Sequence, residues 1–296
     1  MKKDNNWFLQ IEIDSLNSLI EIVDYSMFPT FRKWQEKHKN KDNISEYDQV
    51  SQCVLQSMIS KAKTLQLASN GFSIRDIKTK IIDISSMASI MRNIYETAFM
   101  YHNIFIMTDN DYELKILFYL WQIRGFNNLT QLPDIPSKYI SKKIDTENKI
   151  QDLKNAICNI TEQIEITTKA KAEILHALKQ DTTKIGGYIF KKNSNTITNF
   201  QRVSFDKSHY FFNDERYANL YNYLSIHSHP TYLGLLEFGQ MYDGRSVYEH
   251  TQLILLMACI CLSKFMFDFC EFVDGGKDLW KEYSDIISTI NFFNQL

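Results

Sequence analysis

Two stretches of this 296-residue chain hold side chains able to move protons or grip a phosphate. Arg245-Ser-Val-Tyr-Glu-His250 sets a guanidinium and an imidazole at the start of an apolar helix. Cleaving RNA without a metal requires a base for the 2'-hydroxyl and a cation beside the developing phosphorane charge, and His with Arg is the natural pair. Arg245 is therefore the expected phosphate ligand and His250 the expected acid or base. Upstream lies His227-Ser-His229, with Glu237, Asp243, Glu249 and His250 nearby in sequence as candidate third ligands. Two imidazoles and a carboxylate are a transition-metal ligand set. Spacing fixes no third ligand, so no metal is expected, and His229 joins the catalytic candidates.

A second polar grouping is spread along the chain. Arg92 and Glu96 are four apart and share a helix face as an ion pair. Their neighbours Met91, Tyr95 and Phe99 are apolar, so a buried pair would need further polar partners. Tyr221, Ser225 and His229, spaced four and four, are the candidates for that cluster.

The Arg-x4-6-His spacing before an apolar helix resembles the motif of the HEPN ribonucleases, whose four-helix bundles dimerise to bring two motifs into one cleft. That resemblance implies phosphate binding by Arg245, acid or base work by His250, and a toxin or phage-defence setting. Seven Arg and seven His in this chain predict about half a match to the spacing by chance. It occurs as Arg32 to His38, Arg202 to His209 and Arg245 to His250, and only the last opens an apolar helix. The alternative for His250 is a histidine satisfied by a neighbour on a packed helix. The ordered set Arg92-x3-Glu96, then Tyr221-x2-Leu224-Ser225-x3-His229-Pro230, resembles an uncharacterised family of all-helical bacterial proteins over residues 45–270. It implies an all-helical fold and a shared polar cluster, not a reaction.

The elements that must position these residues read as helices. Nine Gly and four Pro are few turn formers for this length. Ser15 is the expected cap of a first helix that Pro29 kinks or ends. A second helix opens at Ser45, with Asp48 as a capping-box variant, and stops at Asn70-Gly71. A third runs from Ser73 to Met107 through Ile77, Ile81 and Ile84, and a short fourth from Tyr112 closes at Gly125. From Ile150 the apolar residues keep a three-four seam that loses phase near Thr167 and resumes to Leu178, read as one long exposed helix. YIFKKNSNTITNF allows a hairpin around Asn193-Ser194-Asn195. A helix from Asp214 ends near Ser228 because Pro230 drives His229 out of helical geometry. TYLGLLEFGQMYDG reads as irregular, and a long apolar helix begins near Arg245.

The fold expected is all-α: a helical bundle in a single domain over 1–296, with one long projecting helix within 137–180 and a minor β-hairpin near 187–200. The net charge of -2 gives no global field for a polyanion, so RNA, the expected partner, must meet a local patch. A homodimer through helices is the other expected contact. Five cysteines without a Cys-x-x-Cys spacing suggest no disulfide framework and a reducing cytoplasm. The N-terminus carries no apolar stretch of signal-peptide length, and Leu253–Leu262 is about half of the roughly 20 residues that span a bilayer. No membrane association and no cofactor are expected. The rival to an RNA-cleaving enzyme is a non-enzymatic helical interaction protein, whose polar cluster fixes helix register.

Overall fold

A computed structural model describes residues 14–39, 44–73, 75, 80–130, 139–179, 186–207, 209–212, 217, 219–240, 246–273, 275–276, 278 and 284–295. The protein is all-α with one small antiparallel hairpin. Its contacts group into two compact units, Met1–Tyr101 with Asp206–Leu296, and His102–Phe205.

In the first unit the helices are α1 (Ser15–Ile20), α2 (Phe28–His38), α3 (Glu46–Ser69), α4 (Ile84–Tyr101), a short α8 (His209–Phe212), α9 (Leu220–Ser228), α10 (Tyr232–Gln240), α11 (Ser246–Phe272) and α12 (Ser284–Gln295). Helix α11 is the axis of the unit and packs on α1, α3, α4 and α12. Every residue from Ile254 to Leu262 is buried, which a helix apolar on all sides requires. Val247–Phe272 is long and apolar enough to cross a membrane, longer than its most hydrophobic run suggested, yet most of it is buried inside this unit. Cys259, Cys261 and Cys270 are small core residues there, their thiols pushed up by burial.

Several boundaries differ from those the sequence suggested, each for a local reason. Asp14, not Ser15, caps α1, accepting the Asn17 amide at 3.1 Å. Pro29 does not end the first helix. It has no N–H for the carbonyl four residues back, and the winding widens to a π-helix over Glu21–Met27 before α2 resumes with Pro29 in its first turn. The expected helix from Ser73 starts only at Ile84, because Phe72 and Ile81 exchange backbone hydrogen bonds at 2.9 and 2.8 Å instead. Ile77 lies outside the described residues. Ser45 does cap α3, accepting the Asp48 amide at 3.0 Å, and α3 stops at Ser69 before Asn70-Gly71. The segment read as irregular after Pro230 forms α10.

The second unit holds a π-helical turn (His102–Ile106), α5 (Asp111–Thr130), α6 (Ile140–Thr161), α7 (Thr168–Lys179), β1 (Gly186–Asn193) and β2 (Thr196–Ser204). Helix α5 runs straight through Gly125, and α6 packs along it. The stretch read as one long helix is two. It breaks because residues 165–167 pair with β2: Thr167 N donates to Ile197 O and Ile197 N to Glu165 O, both at 2.9 Å. Strands β1 and β2 turn at Ser194, whose φ is 55°. Lys192 bridges Asp109 and the buried Glu113, the latter at 2.6 Å.

Buried Asn103 fixes the hairpin to the π-turn. Its Nδ2 donates to Tyr188 O at 2.8 Å and its Oδ1 accepts Tyr188 N at 3.0 Å. Gly187 is glycine because a Cβ there would lie 2.3 Å from that same Oδ1. Gly187→Ala should therefore break both bonds and cost about 2 kcal/mol of stability. Urea denaturation is the check, and an unchanged midpoint would show that Asn103 does not hold the strand.

Candidate functional site

Helix α9 lies in the first unit between α4 and the start of α11, and it carries polar groups on two faces. Its end is set by Pro230: His229 is extended, with φ -107° and ψ 153°, and aims its imidazole away from the helix ladder. Thr231 then reverses the chain, its hydroxyl accepting the Gly234 amide at 3.0 Å. Gly234 lets α10 close on α9, since a Cβ there would stand 2.8 Å from Ile226 O.

The first polar face meets α4. Arg92 donates from Nε to Glu96 Oε1 at 2.9 Å, from Nη1 to His229 Nε2 at 2.6 Å and from Nη2 to Tyr221 OH at 2.6 Å. Tyr221 OH in turn donates to Glu96 Oε1 at 3.0 Å. Arg92, Glu96, Tyr221 and His229 therefore form one closed network, as their spacing suggested. Ser225, expected in the same cluster, is not among these bonds; its carbonyl accepts from Ser228 Oγ within α9 at 3.4 Å. Burial alone would disfavour the Arg92 charge, but the bonds to Glu96 and Tyr221 more than offset this and its ionisation is raised. The Tyr221 hydroxyl is pushed up by burial and by the Glu96 carboxylate.

Arg92 has donors only, so the nitrogen it meets on His229 must accept. Nε2 then accepts, which leaves the ring N–H on Nδ1. Arg92 thus fixes both the place and the tautomer of His229.

The second face meets α10 and α11. Tyr223 OH and His250 Nδ1 are 2.6 Å apart, and the two rings are near-parallel with centroids 6.0 Å apart. His227 packs edge-on to His250 at 5.3 Å, and its Nε2 lies 3.5 Å from Glu237 Oε2. Burial lowers the proton affinity of His227, and His250 lowers it further against the pull of Glu237. Burial likewise lowers that of His250, opposed by Glu237 and Glu249. Both imidazoles are neutral bases near pH 7.

The two faces converge at a cavity of about 280 Å³ lined by Asp83, Ile84, Ser85, His227, Ser228, His229, Pro230, Gly234, Leu235 and Phe238. His227 and His229 both reach it; His250 stands behind His227 and does not line it. The alternative reading of His250, a histidine satisfied by a neighbour, is met by Tyr223. Arg245 and Asp243 lie outside the described residues. Among the described residues no three His, Cys, Asp or Glu side chains are arranged to hold a metal ion.

Sequence reasoning missed Tyr223 and Asp83. Tyr223 is four before His227, the spacing of one helix face. Asp83 caps α4, taking the Ser86 amide on Oδ1 at 3.2 Å and the Ser86 hydroxyl on Oδ2 at 2.5 Å, and an Asp-x-x-Ser signal was there to read. No family model matches this chain, and neither does any curated protein or solved structure.

The lowered imidazoles make stability depend on pH. The unfolded chain regains ordinary histidines, which bind protons below about 6.5 while His227 and His250 in the folded protein still resist them. Stability is therefore full above that value and lost as pH falls from it toward the folded values. His227→Gln should flatten this fall in melting temperature. A variant whose pH profile keeps the wild-type shape would show that His227 is not the source.

Proposed function

We propose that this protein is a HEPN-like, metal-independent ribonuclease of a toxin or phage-defence setting, with its reacting groups at the cavity where α9 ends. The single observation that supports this most is the convergence of His227 and His229 on one cavity, each held by a different network. In this reading His227, neutral and backed by Glu237, accepts the proton of the 2'-hydroxyl. The 2'-oxygen then bonds to phosphorus as the bond to the 5'-oxygen breaks, and the His227 imidazolium returns the proton to that leaving oxygen. The His229 N–H donates to a phosphoryl oxygen as its charge grows.

His250 acts in this reading through His227, and Arg92 through His229, so both are positioning residues. Arg245 keeps the phosphate-binding role that its motif implies. This redistributes the Arg245–His250 pairing: the acid or base is the imidazole lining the cavity rather than the one behind it.

A second reading, a non-enzymatic interaction protein, is favoured by one observation. Helix α10 buries none of its residues and shows Tyr232, Leu233, Leu235 and Leu236 to solvent, Tyr232 at 84 % exposure. Contiguous apolar surface of this kind is a common mark of a contact site.

Cleavage of single-stranded RNA in excess chelator separates the two. Wild type should cleave, leaving 2',3'-cyclic phosphate ends, while His227→Ala and His229→Ala fall by about a hundredfold or more. His250→Ala should lose less than either. Equal activity in wild type and all three variants, or none in wild type, would remove the enzymatic reading.

A further inference from the structure

His227 lines the cavity, yet it is only 6 % exposed, so its imidazole is shut off from any strand outside. A ribose 2'-hydroxyl must come within hydrogen-bond distance, roughly 2.6–3.2 Å, of the base that takes its proton. For His227 to act, something that covers it has to move. The walls come from the start of α4, the end of α9, the turn after it, and α10. They differ in what moving them would cost. Helix α4 buries ten of its eighteen residues, and α9 buries Leu220, Leu224 and His227. Helix α10 buries none, although its Gly234, Leu235 and Phe238 form one side of the cavity.

A nine-residue helix is too short to be stable alone in water, so α10 keeps its place through its packing on α9 and α4. With no residue buried, that packing gives up little apolar surface when it breaks, and elements of this kind open at low free-energy cost. Its closed position has a pivot and a latch. Thr231 Oγ1 donates to Ile226 O at 3.1 Å and accepts the Gly234 amide at 3.0 Å, which ties the first turn of α10 to α9. Glu237, farther along the helix, stands 3.5 Å from His227 Nε2, a long and weak contact. Gly234 sets how closely the two helices approach, because a Cβ there would meet Ile226 O at 2.8 Å and Thr231 Oγ1 at 3.0 Å.

We infer that α10 is a lid over His227, pivoting on the turn at Pro230 and Thr231: open, it admits the strand to the imidazole, and closed, it returns Glu237 to His227. The inference rests on the cavity being the functional site proposed above, but the opening itself needs no RNA and is measured without it.

Diethyl pyrocarbonate acylates accessible neutral imidazoles, and peptide mass spectrometry of the labelled full chain at neutral pH reads the rate at each histidine. His176 on α7, which is exposed, reports free access, and His38 on α2, 7 % exposed, reports general unfolding. Wild-type His227 should react more slowly than His176. Gly234→Ala, whose methyl group props α10 off α9, should speed His227 about fivefold to thirtyfold and leave His38 and His176 as they were. Gly239→Ala lies on the same helix with nothing within 4 Å of the added carbon, and it should speed none of the three. An unchanged His227 rate in Gly234→Ala, the same rise in Gly239→Ala, or a rise at His38 in step with His227 would overturn the lid. So would wild-type His227 reacting as fast as His176. Opening in a protein that cleaves no RNA would defeat only the ribonuclease reading, and cleavage with a His227 rate unmoved by Gly234→Ala would defeat the lid alone.

Discussion

A guanidinium held on three sides governs the geometry around the cavity. Arg92 spends one nitrogen on Glu96, one on Tyr221 and one on His229, so a single side chain from α4 ties down two positions at the two ends of α9. A half-buried cation is costly to desolvate unless its donors are used, and here each of its three nitrogens finds an acceptor. The Tyr221 to Glu96 bond closes the ring, so that losing any member leaves another unpaired. What reaches the cavity is the result: an imidazole of one tautomer, set where α9 stops.

The other imidazole is governed by a different balance. His227 is 6 % exposed, between the Tyr223 ring and His250, with a carboxylate at the edge. Burial and its neighbour oppose a charge on it while Glu237 favours one, and burial prevails. One helix of nine residues and the residue that caps it thus deliver two histidines in unlike environments to one space. The residue between them, Ser228, ends the helix, and Pro230 is the reason it ends there.

Much of this was legible in the sequence, and what was not has identifiable causes. The four-residue spacing that joins Arg92 to Glu96 is a direct consequence of helical periodicity, and Pro230 announced the bend that carries His229 out of the helix. The cap at Ser45 and the hairpin around Ser194 were equally local signals. The long helix over residues 150–178 failed because its break depends on a tertiary contact, the backbone of residues 165–167 pairing with β2, which a loss of phase at Thr167 could hint at but not explain. Helix α4 was started eleven residues early because Ile77, Ile81 and Ile84 keep a helical period that the Phe72–Ile81 bridge overrides. Asp83 reached the cavity, and Glu237 reached His227, only through the packing of α9 on α4 and α10, which no short-range pattern encodes. Arg245, central to the motif reading, lies outside the described residues, so the paired Arg and His of that motif stand on sequence alone.

The central claim is that Arg92, by donating to Nε2, keeps the ring N–H of His229 on Nδ1. Nitrogen-15 NMR of the imidazole ring reads that state directly, with His229→Gln used to assign the signal. At neutral pH the account predicts a protonated Nδ1 and an unprotonated, hydrogen-bonded Nε2. A proton on Nε2 would contradict it.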